Sequence, residues 1–314
     1  MSAPPSPAVV EVRGLVKRFG ARTAVDGIDL DVARGQIFGL LGPNGAGKTT
    51  TMRAVYGVTR PTAGTIRVFG LDVTQHRRQV RARLGVTLQE NVLIEALSPV
   101  ENLRVFCRYH LLSDDRARHR TGELIDFLAL GSHRDVPVRN LSGGYQRRTA
   151  IALSLVSEPE LLILDEPTTG LDPAVRRALW DKVRVLRERG TTVLLTTHYM
   201  EEAERLCDRV AVMAEGRVMA IGNPRELVLD HLAAEAVEIE SDAAGLRRLL
   251  EGYDSRTVAV QSGRHATLHT ADAAALAAHL RSRDGGERRS MVIRPSNLED
   301  LFLHLTGGRL EVAA

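Results

Sequence analysis

The sequence predicts an α/β fold followed by a smaller α+β domain. Short apolar segments of strand type, such as residues 36–41 and 161–164, alternate with longer segments of helical spacing. Residues 42–50, GPNGAGKTT, follow the first of these strands, precede a helix and fit the pattern GxxxxGK[ST] of a phosphate-binding loop. After residue 222, alanine and arginine become more frequent and no phosphate motif appears. We therefore expect a nucleotide-binding α/β domain and a second domain of different composition.

The composition is that of an ordinary globular protein. Of 314 residues, 44% are hydrophobic and 26% are charged, and 42 Lys and Arg residues nearly balance 39 Asp and Glu residues. The net charge of +3 gives no indication of nucleic-acid binding. Cys107 and Cys207 lack metal-ligand spacing, which favours a reducing compartment. Residues 1–7, MSAPPSP, lack the features of a signal peptide and predict a disordered tail.

No apolar run of the sequence approaches the ~20 residues that a membrane-spanning helix needs. We therefore expect a cytosolic protein. If it acts at a membrane, it must do so through a partner.

The phosphate-binding loop suggests roles for its own residues. Its glycines permit a tight turn, and the backbone N–H groups and the N-terminus of the following helix face an anion. Lys48 would reach the β- and γ-phosphates of a nucleotide, and the Thr49 hydroxyl would bind Mg²⁺. A chance match is expected in roughly one chain in a hundred of this length. The loop predicts nucleotide binding but names no reaction.

Strands are predicted before the loop at residues 8–13 and 24–32. Phe19 lies between them in a polar loop, where its ring could pack on the sheet or stack on a nucleotide base. After the loop, a basic helix at residues 75–84 is expected, followed by a strand that ends at Gln89.

A helical subdomain is predicted at about residues 98–157. Residues 98–112 and 114–130 have helical patterns, and Ser98 is the expected N-cap of the first. Residues 140–148, NLSGGYQRR, open a further helix that Ser142 can cap. This helix N-terminus could bind a second anion or could be a routine capped helix.

Two carboxylates, Asp165 and Glu166, end an apolar strand. A buried parallel strand would place them at the carboxyl edge of the sheet, where α/β proteins bind ligands. Asp165 then suits the Mg²⁺ side of a phosphate site, and Glu166 could accept a proton from an attacking water. The alternative is a pair of solvated turn carboxylates.

Two more polar residues follow these carboxylates. Asp172 is the predicted N-cap of a helix that starts with Pro173. A β-branched strand, residues 191–197, ends at His198, which could be structural or could reach a phosphate. An acidic helix at residues 199–206 and two strands within residues 208–221 complete the domain, which we expect to span residues 8–222.

The remainder is predicted as a linker helix (223–234), an α+β domain (235–307) and a loose tail (308–314). Within the α+β domain, the patterns predict strands at 236–240, 258–261, 266–270 and 291–293, helices at 244–250, 271–281 and 297–305, and a loop at 283–287.

Together, the motifs along residues 9–222 resemble those of the ATP-binding cassette (ABC) ATPases. They occur in the order Phe19, phosphate-binding loop, Gln89, LSGG at 141–144, LLILDE at 161–166, GLD at 170–172 and His198. LSGG between a phosphate-binding loop and an Asp-Glu strand end is highly specific. The resemblance implies a P-loop NTPase with a mixed sheet core, an antiparallel β subdomain and a helical subdomain. It also implies a head-to-tail homodimer that encloses two ATP molecules.

The resemblance implies roles for the motif residues. Phe19 would stack on adenine, Thr49 and Gln89 would bind Mg²⁺ with Asp165 close behind, Glu166 would be the general base and His198 would contact the γ-phosphate. The implied phosphate-binding residues are Gly42, Pro43, Asn44, Gly45, Ala46, Gly47, Lys48, Thr49 and Thr50, and the implied catalytic residues are Lys48, Gln89, Glu166 and His198. Ser142, Gly143 and Gly144 would reach the ATP of the second subunit, and Asp172 would help to join the two sites.

The sequence departs from the family at Tyr145, where the usual motif has Gln.

Segments KRFG (17–20), GGYQRR (143–148) and NLEDLFLHLTG (297–307) resemble the daunorubicin-resistance type of drug-export ATPase. Such chains serve a separate membrane permease and export drugs, antibiotics or lipids. This implies a peripheral protein on the cytoplasmic face of the cell membrane.

Two other functions of ABC ATPases were weighed. One is a soluble ATPase that assembles or remodels a complex without transport. A nucleic-acid-handling ATPase is disfavoured because residues 98–140 are too few for a coiled coil and contain no pair of closely spaced cysteines. We therefore expect ATP, Mg²⁺, a second cassette and a permease as ligands and partners, and no nucleic acid.

Overall fold

The computed structural model describes residues 8–90, 92–253, 257–284, 289–307 and 309–310. The chain divides into two units, Met1–Val218 and Met219–Ala314. The predicted disordered tail at residues 1–7 lies outside the described residues, as do 285–287 of the predicted loop and most of the predicted tail at 308–314.

The first unit contains strands and helices in alternation. Its strands are β1 (Ala8–Phe19), β2 (Arg22–Ala33), β3 (Ile37–Leu41), β4 (Ala63–Val68), β5 (Leu71–Asp72), β6 (Leu84–Thr87), β7 (Leu161–Asp165), β8 (Thr192–Thr197) and β9 (Arg209–Ala214), and β10 (Arg217–Gly222) begins in it and continues past the boundary at Val218. Its helices are α1 (Lys48–Val55), α2 (Arg77–Arg81), α3 (Pro99–Tyr109), α4 (Asp114–Phe127), α5 (Gly143–Ser154), α6 (Pro173–Glu188) and α7 (Met200–Leu206).

A six-stranded sheet of order β10-β9-β3-β8-β7-β6 forms the centre of this unit. Strands β9, β3, β8, β7 and β6 are parallel, whereas β10 follows a two-residue turn and is therefore antiparallel to β9. Every residue of β3, β7 and β8 is buried, as expected for apolar parallel strands. The predicted mixed sheet core is confirmed, and it brings the carboxyl ends of three buried strands to one edge.

A separate antiparallel sheet of order β2-β1-β4-β5 accounts for the predicted antiparallel subdomain. Here the predicted extent of the first strand was wrong. Strand β1 continues to Phe19 because its pairing with β2 persists through register shifts to the Phe19–Arg22 pair. Phe19 therefore ends a strand instead of lying in a polar loop. The predicted basic helix at residues 75–84 is also shorter, since residues from Leu84 onward belong to β6.

Helices α3, α4 and α5 form the helical part of the unit, with α3 packed on the other two. Helix α3 begins with a capping box, in which the Ser98 hydroxyl accepts from the Glu101 N–H and the Glu101 carboxylate accepts from the Ser98 N–H. Leu103, Leu124 and Ile151 bury one apolar face from each helix. This packing fixes the N-terminus of α5, where the LSGG motif lies.

The second unit has its own sheet and core. It contains α8 (Pro224–His231), β11 (Glu235–Glu240), α9 (Ala243–Leu250), β12 (Val258–Ser262), β13 (His265–Thr270), α10 (Ala273–Arg283), β14 (Met291–Pro295), α11 (Leu298–Leu305) and β15 (Arg309–Leu310). The antiparallel sheet has the order β14-β11-β13-β12-β15, so residues 309–310 form an edge strand and the prediction of a loose tail is wrong for them.

The core of the second unit includes Val237, Leu246, Leu268 and Leu276. Across the described residues of both units, no helix has the length and apolar character needed to span a membrane.

Candidate functional site

A cavity of ≈ 360 Å³ lies at the N-terminus of α1, beside the carboxyl edge of the parallel sheet. Ten residues predicted to bind nucleotide or act in catalysis line it: Phe19, Asn44, Gly45, Ala46, Gly47, Lys48, Thr49, Thr50, Gln89 and Glu166. Arg22 and Ala24 from β2 also line it. The structure therefore gathers the phosphate-binding loop, the end of β1, the residue after β6 and the end of β7 around one space.

The loop between β3 and α1 depends on two of its glycines. Gly42 has φ +154°, and a Cβ there would lie 2.2 Å from the Met213 carbonyl oxygen. Gly47 is the N-cap of α1 with φ +99°, and a Cβ there would lie 2.7 Å from the Ala24 carbonyl oxygen. Glycine alone fits these positions without displacing backbone. The N–H groups of the first turn of α1 then point out of the helix toward the cavity.

Lys48 is the buried cation of the cavity, with 4% of its side chain exposed. Its ammonium group donates to the carbonyl oxygens of Gly42 (2.7 Å) and Pro43 (3.0 Å). Burial lowers the pKa of Lys48 from its ordinary value, while the carboxylates of Glu166 and Asp165 act in the opposite direction. A cation held this way by neutral oxygens can turn toward phosphate oxygens at little cost.

Asp165 lies directly behind the loop and is buried. Its Oδ1 accepts hydrogen bonds from Thr196 Oγ1 (2.6 Å) and Thr49 Oγ1 (3.2 Å). Carboxylate, hydroxyl and amide oxygens are the donors that Mg²⁺ prefers. The pairing of Thr49 with Asp165, with the Gln89 amide lining the same cavity, therefore fits a magnesium site that also uses phosphate oxygens.

The Glu166 carboxylate is where the predicted catalytic side chains meet. It is 8% exposed, and its Oε1 lies 3.9 Å from Lys48 Nζ and 3.4 Å from His198 Nδ1. Its Oε2 lies 3.5 Å from Gln89 Nε2 and accepts from Thr169 Oγ1 at 3.1 Å. The backbone of Glu166 has φ +46°. A carboxylate this buried is not a solvated turn residue, and it faces the space beyond the phosphate-binding loop.

Eight predicted site residues are not part of the cavity lining. Four of them, Gly42, Pro43, Asp165 and His198, each contact a lining residue. The other four lie at the N-termini of α5 and α6. Ser142 and Gly143 are exposed at the N-terminus of α5, Gly144 is half-buried beside them, and Asp172 is exposed before α6. The predicted N-cap positions of Ser142 and Asp172 are confirmed. Neither side chain makes a cap hydrogen bond, however, so both hydrogen-bonding groups stay exposed.

Two aromatic side chains near these sites have cationic neighbours. The Phe19 ring is 53% exposed at the rim of the cavity, with Lys17 Nζ 4.7 Å from its centroid. Tyr145 stacks on His133 with centroids 4.1 Å apart, and the Arg148 guanidinium lies 4.2 Å from its ring. Phe19 is thus free to meet a flat ligand, whereas Tyr145 is braced within the helical part.

The sequence did not single out Thr196, Thr169, Arg22 or Arg147, which all contact the site or its backbone. Thr196 could have been found from its place near the carboxyl end of β8, two residues before His198. Arg22 gave no signal, because its place beside Phe19 depends on a strand pairing that the sequence did not predict. Arg147 gave no signal, because an arginine in a basic helical segment ordinarily faces solvent.

Comparisons with known protein families match both parts of the chain. Residues 25–169 match the family described as ABC transporter. Residues 247–307 match the family described as Nodulation factor export protein NodI, C-terminal domain.

Full-length relatives match as well. The chain is 44% identical over 315 residues to the Nod factor export ATP-binding protein I of Ralstonia nicotianae, with 97% of each chain covered. It is 41% identical over 307 residues to the protein of the same name from Rhizobium sp. (strain N33), covering 98% of this chain and 99% of the relative.

Solved structures share the fold of the first unit. A structure of cbiO1 from Clostridium perfringens, part of the ABC transporter complex cbiONQ, is 30% identical with a TM-score of 0.66, covering 71% of this chain and 91% of that one. A structure of an ATP binding subunit of an ABC transporter is 29% identical with a TM-score of 0.64, covering 71% and 92%.

Proposed function

This chain belongs to the ATP-binding subunits of ABC transporters, of the Nod factor export protein I type, and we propose that it drives export through a separate membrane permease. It is an ATPase whose hydrolysis is coupled to transport, and ATP is bound together with Mg²⁺. The assignment of steps to individual residues is our proposal. The observation that carries it is the meeting of Lys48, Gln89 and His198 at the buried Glu166 carboxylate.

The loop residues hold the substrate phosphates. The N–H groups at the start of α1 and the Lys48 ammonium bind the β- and γ-phosphate oxygens, and the exposed Phe19 ring stacks on the base. Thr49 and Gln89 would hold Mg²⁺, which would neutralise the charge that develops on the phosphates. Asp165 orients Thr49 from behind through their hydrogen bond.

Glu166 accepts the proton of the attacking water. Its carboxylate is held by Thr169 and lines the cavity, so it can take a proton from a water that attacks the γ-phosphate. His198 lies 3.4 Å from the same carboxylate and is placed to donate to the γ-phosphate. Positioning and charge stabilisation of this kind supply most of the catalysis in phosphoryl transfer.

The active form is a head-to-tail homodimer. The N-terminus of α5, with exposed Ser142 and Gly143, has the chemistry of a phosphate site. These two residues do not line the cavity that contains the phosphate-binding loop of their own chain. A second copy that places this terminus over the γ-phosphate completes each site. Asp172, exposed at the start of α6, then lies at the junction of the two sites.

The cargo is assigned by relationship. Both relatives described above are named as Nod factor export proteins, and their likeness includes the C-terminal unit. We assign this chain to export of a molecule of that kind, from the cytoplasmic face of the cell membrane. Export of drugs, antibiotics or lipids, as in the daunorubicin-resistance type of transporter, is the alternative drawn from segments 17–20, 143–148 and 297–307.

The test is export from cells that carry the cognate permease and either the wild-type chain or Glu166→Gln. We expect Glu166→Gln to lower ATP turnover ~10²–10⁴-fold and to abolish export while ATP still binds. Glu201→Gln is the matched control, because Glu201 is an exposed carboxylate on α7 that pairs only with Arg205 among the contacts of described residues. Full export by Glu166→Gln would refute the proposal.

A further inference from the structure

Arg147 is the buried arginine of helix α5, with 5% of its side chain exposed. Its guanidinium donates to backbone carbonyl oxygens on two separate segments. Nη1 reaches the carbonyls of Leu88 and Gln89 (3.5 Å to Gln89), which follow β6. Nε reaches Pro167 (3.0 Å), and Nη2 reaches Asp165 (2.6 Å) and Glu166 (3.1 Å), at the end of β7.

These contacts join three parts of the protein that act on ATP. The first part is helix α5, which carries Ser142 and Gly143 at its N-terminus. The second is the segment after β6, which contains Gln89, and the third is the segment at the end of β7, which contains Glu166. A planar guanidinium with five fixed N–H directions holds its acceptors in one relative arrangement, unlike a flexible ammonium. Arg147 thus sets the distance between the backbone of Gln89 and the backbone of Glu166.

The position of Arg147 places a charged side chain in a buried environment. Burial lowers its pKa to about 10 although the carboxylates of Asp165, Glu202 and Glu166 all favour the charged form. The charge stays in place because carbonyl dipoles surround it. Removing the side chain would leave several carbonyl oxygens in a buried region without this donor.

The same turn is held from its other side by Glu202 of helix α7. This fully buried carboxylate accepts hydrogen bonds from Thr168 Oγ1 (2.9 Å) and Trp180 Nε1 (2.8 Å) through one oxygen. Glu166 therefore sits in a turn that is fixed at the backbone by Arg147 and at Thr168 by Glu202. A residue at φ +46° persists only where its surroundings determine it in this way.

We propose that Arg147 is a positioning residue that aligns Gln89 and Glu166 and ties both to the α5 terminus that the second subunit uses. Its guanidinium touches no reacting atom and acts through the two backbone segments that it joins. This role rests on the proposed function of Glu166 and Gln89. It makes turnover, and not nucleotide capture by the loop, the property that depends on Arg147.

The test compares Arg147→Met, Arg147→Lys and the control Arg120→Met in the full-length protein. Arg120 of α4 also donates to a backbone carbonyl (Leu155, 2.6 Å) and pairs with Glu123, and among the contacts of the described residues it reaches no residue of the site. We expect Arg147→Met to lower kcat at least ~10-fold and to raise the Mg²⁺ concentration for half-maximal turnover several-fold, with the Kd of a fluorescent ATP analogue within about 3-fold of wild type. Arg120→Met should keep kcat within about 2-fold.

Arg147→Lys separates geometry from charge. It keeps the positive charge but loses the planar fork, so we expect it to stay within about 3-fold of Arg147→Met in kcat. Wild-type turnover by either variant, or a loss of analogue binding that equals the loss of kcat, would overturn the proposal. If Arg147→Met does not fold, the turnover of Arg147→Lys decides alone. Turnover retained by Glu166→Gln would instead refute the proposed function.

Discussion

Two helix N-termini in the first unit carry the same chemistry in opposite settings. Helix α1 begins at Lys48, and its N-cap Gly47 lines a cavity beside that buried lysine and two buried carboxylates. Helix α5 begins with Gly143 after Ser142, both exposed. A Cβ at Gly47 would meet backbone at 2.7 Å, whereas a Cβ at Gly143 would meet nothing within 4 Å.

The difference teaches what each terminus needs. The α1 terminus is surrounded by the groups to which we assign phosphate and Mg²⁺ binding, so in our proposal one chain suffices to bind nucleotide. The α5 terminus offers N–H donors and a hydroxyl to a ligand that its own chain does not enclose. If both act on one ATP, that ATP must lie between two copies, and each copy is incomplete by itself for turnover.

The largest expected effect comes from inactivating the α1 terminus in one variant and the α5 terminus in another. Lys48→Ala and Ser142→Arg should each lower ATP turnover ~10²-fold or more, because each removes or blocks a phosphate-binding element in both sites of a homodimer. Mixing the two should restore about a quarter of wild-type turnover, since half of the random dimers contain one intact site. Activity of the mixed sample is measured by phosphate release.

The control for this mixing experiment is the pair of single variants, each incubated alone at the same total concentration. No recovery on mixing, with both variants shown to dimerise, would contradict the shared site. High turnover by Ser142→Arg alone would show that the α5 terminus does not contact ATP.

A smaller effect, on the free energy of unfolding, should distinguish substitution of Gly47 from substitution of Gly143. Gly47→Ala should lower the free energy of unfolding by roughly 1–3 kcal/mol, because the φ of +99° and the Ala24 carbonyl both oppose a Cβ. Gly143→Ala should leave it unchanged or raise it by up to about 1 kcal/mol, since the position is helical and open. Urea unfolding measures both.

Equal losses of stability in the two alanine variants would contradict the expected difference between the two glycine positions. Turnover of Gly143→Ala then adds information that Gly47→Ala cannot give. Because this fold tolerates the methyl group, any loss of turnover would arise from the contact with the second subunit.

The smallest expected effect lies in the second unit. His269 is fully buried, its Nδ1 lies 2.8 Å from Ser296 Oγ, and its Nε2 has no hydrogen-bond partner among the described residues. Burial lowers its pKa below the ordinary value of 6.5, with Asp300 opposing and Arg294 and His304 adding to the shift. The neutral ring is the form that the fold accepts.

The sign of the pH effect follows from this shift. As pH falls below about 6.5, the unfolded chain binds a proton that the folded chain does not, so stability falls by at most about 1.4 kcal/mol per pH unit. Thermal unfolding between pH 7.5 and 5.5 should show this loss for wild type and for the exposed control His265→Gln, and less of it for His269→Gln. An equal loss in all three would assign the effect to other groups.

Much of the fold could be predicted from the sequence because buried parallel strands consist of continuous apolar segments. The segments at residues 36–41 and 161–164, and their polar ends, fixed the edge of the sheet where the cavity lies. The end of β1 was not predictable in this way. Its last residues are polar and are held by pairing with β2, which is a non-local contact.

The candidate site divides similarly. Residues within a motif, such as Lys48, Asp165 and Glu166, could be predicted because their chemistry depends on local spacing. Arg147 could not, since its role arises from where helix α5 packs and not from its neighbours in sequence. The C-terminal likeness to Nod factor export proteins likewise depends on a relationship that no single motif expresses.

The backbone of Glu166 has a wider consequence. Its left-handed φ of +46° costs a residue other than glycine on the order of 1 kcal/mol, and glycine or asparagine would adopt it more readily. Those are also the substitutions that remove the carboxylate. With Glu166 as the general base that we propose, selection for thermostability and selection for turnover favour different residues at this one position, and a thermostable catalyst engineered from this protein must gain its stability elsewhere.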